Sequence, residues 1–311
     1  MAVTLGDEVL ARYPRFSLYN SPYPAHDTGC AVDLYPGPEW DGPARAVVAP
    51  SPVAGEVVDT HTRRAPSKPY APDHDHLILV RVDAEATPGF ERDDGKDTAL
   101  VARIMHVDPA VEAGDYVEAG DPLGTTVRAG FFAPWVGDHL HVGFRYEGQN
   151  HLRASGSLPL SVDVSLEAVE WDGTGTVVTA DETYAVLDAP AHPAHDECFA
   201  GVAADGDGSL DARGVLDGGL RHYDGGGLLG AGGNDDSVSL LGQRVGVADG
   251  RTVDWDDVAV VANGTRITGL SLFLARDSGF GAKLVCPDVD FVVGESVTVE
   301  LQPTDDPTIL G

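Results

Sequence analysis

Glycine and proline interrupt this sequence so often that long helices are excluded. There are 38 glycines and 21 prolines among 311 residues, and both residue types are unfavourable inside helices. Between them lie short valine-rich runs in which apolar and polar residues alternate, as in residues 77–82, 101–105 and 139–144. Alternation with a period of two, bounded by turn residues, is typical of β-strands in sandwiches and barrels. The sequence therefore predicts an all-β protein, with short helices only at residues 7–13 and 209–216.

Length and a change in composition predict two domains. A chain of 311 residues can bury two separate cores. The alternating pattern loosens at residues 153–159, and the half that follows is poorer in histidine and richer in glycine and aspartate. We therefore place one domain at residues 1–155 and a β-rich accessory domain, a sandwich or barrel of unknown role, at residues 156–311.

The charge of the chain is strongly negative. Fifty acidic residues face twenty basic ones, which gives a formal net charge of -30 and a pI near 4.4. The acids are spread along the whole chain, which argues against an acidic tail, and no calcium-binding loop of the EF-hand type is present. We interpret the charge as an adaptation to the salt-rich cytoplasm of a halophile, where ions screen the repulsion. Nucleic acid is excluded as a partner because no basic face is available.

Other global features predict a cytoplasmic protein that does not bind a membrane. No apolar run approaches the ~20 residues that a membrane-spanning helix needs. The first ten residues lack the cationic start and apolar core of a signal peptide. The three cysteines are odd in number and far apart, so they do not form a disulfide framework.

The strongest chemical signal is the pair His139 and His141. On a strand, residues two apart point to the same face, so both imidazoles project together. One metal ion, or a metal ion and its proton shuttle, needs that arrangement. Three further candidates precede the pair: His26 and Asp33 lie near the N-terminus, and His106 comes shortly before two glycine turns.

Taken in order, these segments resemble the lysostaphin (LytM-type) zinc metallopeptidases, whose domain is a duplicated hybrid motif. That family carries an early His…Gly…Asp motif, a Tyr-x-His-Leu motif before a Gly-Asp-x-Val-x-x-Gly turn, and a closing His-Leu-His strand. The resemblance covers about residues 26–145. It implies that His26, Asp33 and His141 bind zinc, and that His106 and His139 flank the metal-bound water and the developing oxyanion. Two imidazoles and one carboxylate leave the fourth tetrahedral position open, as catalytic zinc requires.

The sequence departs from the family pattern in three places. Asp33 follows His26 by seven residues instead of four, and Cys30 occupies the usual spacing. Cys30 is therefore an alternative ligand, although a buried structural cysteine is the favoured interpretation. Ile104 stands where the family often has tyrosine. The loop of residues 131–135 is apolar where relatives are polar, and it forms either a substrate wall or a plug.

The resemblance implies a zinc-dependent hydrolase, endopeptidase-like or amidase-like, that cleaves an amide bond of a peptide-like or small-molecule substrate with metal-activated water. Arg128, Trp135 and Arg145 are candidate substrate-binding residues, although the arginines could equally neutralise nearby acids. Iron, manganese or nickel would suit the same ligands.

Two alternatives remain open. One is a metal-binding or assembly module that keeps the peptidase-like fold and catalyses nothing. The other is a carrier domain of the lipoyl type, which the glycine turns suggest and which the lack of a lysine in those turns disfavours. The histidines at residues 74 and 76, and those at 192 and 195, are predicted to lie in a solvated strand end and a solvated loop.

Overall fold

A computed structural model describes residues 3–37, 47–206, 213–230 and 234–310 of the chain. The chain divides into two compact units, one of residues 1–16 and 28–164 and the other of residues 17–27 and 165–311. Nearly all of the regular structure is strand, so the predicted all-β class and two-domain organisation are confirmed. The N-terminal unit ends at Val164 instead of residue 155, and a segment from its predicted interior clusters with the second unit.

The strands up to residue 163 are short, as the spacing of turn residues predicts. They are β1 (Val3–Gly6), β2 (Arg15–Ser17), β3 (Val32–Tyr35), β4 (Val48–Pro50), β5 (Gly55–Arg64), β6 (His74–Val82), β7 (Phe90–Arg92), β8 (Leu100–Met105), β9 (Val107–Pro109), β10 (Tyr116–Val117), β11 (Pro122–Thr126), β12 (Leu140–Tyr146) and β13 (Leu160–Asp163).

The main sheet of the first unit is antiparallel, with strand order β10-β5-β6-β8-β12-β3. Ile78, Ile104 and Val142 pair in a row across β6, β8 and β12, and all three side chains are fully buried. Because neighbouring residues of a strand face opposite ways, His141 lies on the other face, opposite Met105 on β8. Two smaller sheets, β13-β1-β7 and β4-β11-β9, complete the unit.

Two consecutive turns of sequence Glu-Ala-Gly-Asp shape the segment around β10. The glycines, Gly114 and Gly120, have φ angles of 97° and 98°, which glycine adopts without steric cost. In each turn the aspartate side chain accepts a hydrogen bond of 2.9 Å from the backbone N–H of the glutamate three residues earlier. The glycine N–H groups then donate to the carbonyls of Val57 and Ser51. These turns therefore attach the segment to the region of β4 and β5.

The second unit is also built from strands. They are β14 (Leu166–Val169), β15 (Thr174–Ala180), β16 (Tyr184–Leu187), β17 (Phe199–Val202), β18 (Val215–Leu220), β19 (Gly225–Leu229), β20 (Asn234–Leu240), β21 (Gln243–Asp249), β22 (Thr252–Trp255), β23 (Val258–Ala262), β24 (Thr265–Ile267), β25 (Gly269–Leu272), β26 (Leu274–Ala275), β27 (Lys283–Val285) and β28 (Ser296–Pro303).

One continuous ladder organises most of these strands, in the order β20-β21-β22-β19-β18-β25-β27-β16-β15-β28-β23-β24. Separately, β14 runs parallel to β17, which pairs antiparallel with β26. Strands β16, β18 and β25 are buried along their whole length, so the core of this unit lies at the middle of the ladder.

The helices differ from the sequence prediction. The first, α1 (Asp7–Leu10), is shorter than the expected residues 7–13, and a second, α2 (Pro24–Asp27), lies where no helix was expected. The helix predicted over residues 209–216 is wrong at Val215 and Leu216, which begin β18; residues 209–212 lie outside the described part of the chain. Within the described residues, neither helix is long and apolar enough to cross a membrane.

Candidate metal centre

The pairing of β3 with β12 brings Asp33 and His141 directly opposite each other. His141 Nδ1 lies 3.0 Å from Asp33 Oδ1. Directly opposed residues of antiparallel strands have neighbouring side chains on one face, so the sheet register alone accounts for this contact. The Asp33 carboxylate is buried, and the His141 side chain keeps 14% of its surface exposed. The pair therefore lies at the edge of the buried region, where a small ligand can reach it.

His26 joins this pair. One ligand atom from each of His26, Asp33 and His141 lies within 4.8 Å of the other two, so the three residues could hold a metal ion. Two ligands of a tetrahedral zinc ion, each about 2.0–2.1 Å from it, lie about 3.3 Å apart. The donor set, two imidazoles and a carboxylate, is chemically suitable for zinc, and its atoms would have to draw closer than 4.8 Å to reach that spacing. Cys30, the alternative ligand, is not in this group, and its Sγ lies 3.5 Å from the carbonyl of Thr28.

Backbone carbonyls orient two of the histidines. His26 Nδ1 lies 2.7 Å from the carbonyl oxygen of Leu18, and His139 Nδ1 lies 2.9 Å from that of Gly137. Because a carbonyl only accepts, Nδ1 carries the hydrogen in each ring, and Nε2 carries the lone pair with which a metal ion or a proton would interact. A histidine that binds a metal typically donates its other N–H in this way. His139 Nε2 lies 3.4 Å from Asp33 Oδ2, whereas His141 contacts the other oxygen of this carboxylate, Oδ1.

His106 forms a separate pair with a carboxylate that the sequence reasoning missed. Its Nδ1 lies 2.9 Å from Asp75 Oδ2, and the Asp75 side chain is completely buried. Burial by itself would raise the pKa of Asp75, but the charge and hydrogen bond of His106, with further help from His76, lower it below its usual value. Asp75 is therefore an ionised partner that fixes the orientation of His106.

The imidazole rings of His106, His139 and His141 lie close together. The His106 ring centroid lies 5.3 Å from that of His139 and 6.0 Å from that of His141. His106 sits between β8 and β9 with a φ angle of 69°, an uncommon conformation for a residue with a side chain. Its backbone N–H donates to the carbonyl of His76, and its own carbonyl accepts from Val127. The local turn thus holds the imidazole close to the metal-ligand pair.

An aromatic wall covers the histidines. Phe132 stacks on His139 with ring centroids 4.4 Å apart and meets His106 edge-on at 4.7 Å. The ring centroid of Tyr35 also lies 5.1 Å from that of His139. His106 and His139 are consequently only 5% and 3% exposed. The apolar loop of residues 131–135 therefore borders the candidate site. This position is compatible with both predicted roles of the loop, a substrate wall and a plug.

Arg128 holds the loop that carries this wall. Its guanidinium donates hydrogen bonds to the carbonyls of Ala133, Pro134 and Val136 and lies 3.6 Å from an Asp138 carboxylate oxygen. Burial raises the pKa of Asp138, while the adjacent Arg128 and, more weakly, His106 oppose that increase. The donors of Arg128 are thus engaged within the loop.

The other candidate substrate-binding residues are buried. Trp135 is 6% exposed and belongs to the same loop, and Arg145 is 1% exposed on β12, four residues beyond His141. The histidines at residues 74 and 76 lie at the start of β6, with side chains 50% and 12% exposed. Because residues of a strand alternate between its two faces, Asp75 points inward between these two histidines. This alternation is the sequence signal that could have identified Asp75 as a buried residue.

Family models match both halves of the chain. The model described as "Domain of unknown function (DUF8155) N-terminal domain" matches residues 4–162, and the model of the DUF8155 C-terminal domain matches residues 167–302. The chain belongs to the DUF8155 family. No curated protein and no solved structure matches the chain significantly. The DUF8155 models name no activity, so the function has to be argued from the site.

Proposed function

We propose that the chain is a zinc-dependent hydrolase that cleaves an amide bond, with His26, Asp33 and His141 as the metal ligands. The observation that carries this proposal is the grouping of their three ligand atoms within 4.8 Å. Zinc in such a site supplies a Lewis acid and lowers the pKa of a water molecule bound to it. The order of the motifs, which is similar to that of the lysostaphin-type peptidases, supports the same assignment.

His106 is the best candidate for moving the proton. Its Nδ1 is held by Asp75 at 2.9 Å, which orients the ring and leaves Nε2 to take up or release a proton. His139 lies beside it and contacts the same Asp33 carboxylate as His141. In this proposal His106 and His139 flank the reacting water and the oxyanion of the substrate, which is peptide-like or a small molecule.

A second candidate function is a metal-binding or assembly module without catalysis. The stacking of Phe132 on His139 and the near-complete burial of His106 favour it, because a substrate has to reach these groups. The two functions share the metal ligands and differ in turnover. They are therefore distinguished by an activity assay on protein whose metal content is known.

The deciding experiment is elemental analysis of tag-free protein purified in high salt, a condition chosen because the acidic composition supports a salt-rich cytoplasm. We expect about one zinc per chain, lost in His26→Ala and His141→Ala and retained in His74→Ala, whose side chain is half-exposed outside the group. Zinc that remained after both ligand substitutions would refute the site. Zinc at full occupancy, without hydrolysis of any member of a peptide library, would favour the non-catalytic module.

A further inference from the structure

A cluster of arginines on the main sheet of the first unit has no acidic partners. It comprises Arg63 on β5, Arg103 on β8, Arg145 on β12 and Arg153 in the loop after β12. Three other arginines of this unit are paired with acids: Arg81 contacts two glutamates, and Arg92 and Arg128 each contact an aspartate. In the described part of the chain, none of the four clustered guanidinium groups forms an ion pair with a carboxylate.

Strand register accounts for the position of the two innermost members. Arg103 lies opposite Gly143, and Arg145 is two residues further along the same face of β12. They are therefore diagonal neighbours, a relation that long side chains can bridge. Both are almost completely buried, with 2% and 1% of their surface exposed. Arg63 is half-buried and Arg153 is exposed, so these two lie at the solvent side of the cluster.

The arginines bind only backbone carbonyls, and only with some of their donors. Arg103 donates through Nε to the carbonyl of His151, and Arg63 donates to that of Leu152. Arg145 donates to the carbonyls of residues 150 and 153. Each guanidinium has about five N–H donors, so most donors of the cluster remain unused by the described residues. The buried Arg145 Nε is one of them.

The nearest carboxylate by register does not neutralise the cluster. Asp75 lies opposite Arg63 on the neighbouring strand, but its carboxylate is bonded to His106. Among the described residues, the guanidinium of Arg103 therefore has no carboxylate to balance its charge. Burial, together with the charges of Arg145 and Arg63, lowers the pKa of Arg103 to about 9. Burial also lowers the pKa of Arg145, with Arg63 and Arg153 adding to the effect. Like charges are thus buried close together, which is costly unless an anion compensates them.

We infer that Arg63, Arg103, Arg145 and Arg153 form a binding site for a small oxyanion of the phosphate class. Planar guanidinium groups donate two parallel hydrogen bonds to such an anion, which a point charge does not do. A chain with a net charge of -30 repels anions at long range, so a local cluster without acids is the place where one is retained. The site requires no metal and stands independently of the proposed hydrolase.

The test is calorimetric titration of inorganic phosphate into the full-length protein, freed of metal, dialysed free of chelator and held at constant ionic strength. We expect one saturable site, weakened roughly tenfold or more by Arg63→Ala and by Arg153→Ala, because each removes a charge-assisted contact. The matched control is Arg64→Ala, which removes the same charge from the adjacent exposed position. Circular dichroism checks that each variant folds. If Arg63→Ala does not fold, Arg153→Ala carries the test, because the side chain of Arg153 is exposed.

Competing anions complete the design. Sulfate has the same tetrahedral oxygens and is expected to displace phosphate, whereas chloride at equal ionic strength is not. The inference is overturned by the absence of saturable binding, by equal weakening in Arg64→Ala, or by displacement with chloride as effective as with sulfate. Because metal is absent throughout, a negative result here leaves the zinc proposal untouched, and loss of zinc in His141→Ala does not affect this site.

Discussion

Each unit buries one aspartate completely, and the two carboxylates respond to burial in opposite ways. Asp75 in the first unit faces His106, and its pKa is lowered. Asp217 in the second unit accepts hydrogen bonds from Ser17 Oγ at 2.5 Å and from the backbone N–H groups of Leu18 and Tyr19 at 2.6 and 3.2 Å.

The donors of Asp217 are neutral, and they offset only part of its desolvation. Burial raises the pKa of Asp217 to about 6, although its hydrogen bonds and, more weakly, the charge of His26 act in the other direction. Both residues have no exposed surface. The comparison teaches that burial alone does not decide the ionisation of a carboxylate. The interactions with His106 keep Asp75 ionised, whereas burial outweighs the hydrogen bonds of Asp217 and makes it hold its proton at mildly acidic pH.

The largest expected effect is a decrease in the stability of the second unit as pH rises. Folded Asp217 keeps its proton up to about pH 6, while the unfolded chain releases it near pH 3.8. The native state therefore binds more protons in this window, and the free energy of unfolding falls across it by about 3 kcal/mol. Hydrogen exchange of peptides from the second unit, in high salt between pH 4 and 7.5, measures this slope.

Substitution isolates the contribution of Asp217. Asp217→Asn cannot ionise and is expected to flatten the slope, while Asp249→Asn, an exposed aspartate of the same unit, is expected to keep it. A wild-type slope shared equally by both variants would show that other groups cause it, and the contrast with Asp75 would then fail.

The second prediction has the opposite sign. The pKa of Asp75 is lower in the folded state, so its pairing stabilises the protein above pH 3.8 and is lost as pH falls through the folded value. Asp75→Asn is therefore expected to cost about 2 kcal/mol at pH 7, the usual contribution of a hydrogen bond to a charged group, and progressively less as pH falls from 3.8 toward the lower pKa of the folded state. Guanidinium unfolding monitored on the first unit tests it, with the exposed Asp73→Asn as control. A cost independent of pH would indicate lost packing instead of a lost ion pair.

Sequence reasoning could reach the parts of this molecule that depend on local pattern. Glycine and proline punctuation with two-residue alternation predicts an all-β chain, and the His-x-His spacing puts His139 and His141 on one strand face. The resemblance to the early His…Gly…Asp motif indicated Asp33, which the register of β3 and β12 places opposite His141. These features are local, or they follow from the order of short motifs.

Contacts between distant residues were not predictable in the same way. Ser17 and Asp217 are 200 positions apart, and no periodicity relates them. The segment of residues 17–27 clusters with the second unit although its sequence is surrounded by the first. The pairing of Asp75 with His106 depends on two strands meeting at one turn, so the Asp-His-Asp-His run suggested only a solvated strand end. The sequence indicated Arg145 but not the arginine cluster as a whole, because the members of the cluster come from three strands and a loop.

The smallest expected effect concerns Ser17, and it refines the account of Asp217. The hydroxyl of Ser17 donates to the buried carboxylate and stabilises its charged form, so Ser17→Ala is expected to raise the pKa of Asp217 further. The cost should be about 1 kcal/mol at pH 7.5 and smaller at pH 4.5, because the bond is stronger when its acceptor is charged. Exchange of second-unit amides at the two pH values measures both, and Ser237→Ala, an exposed serine of that unit, is the matched control. An equal cost at both pH values would mean that Ser17 acts through its bond from the N–H of Asn20 instead, and that Asp217 is already neutral without its influence.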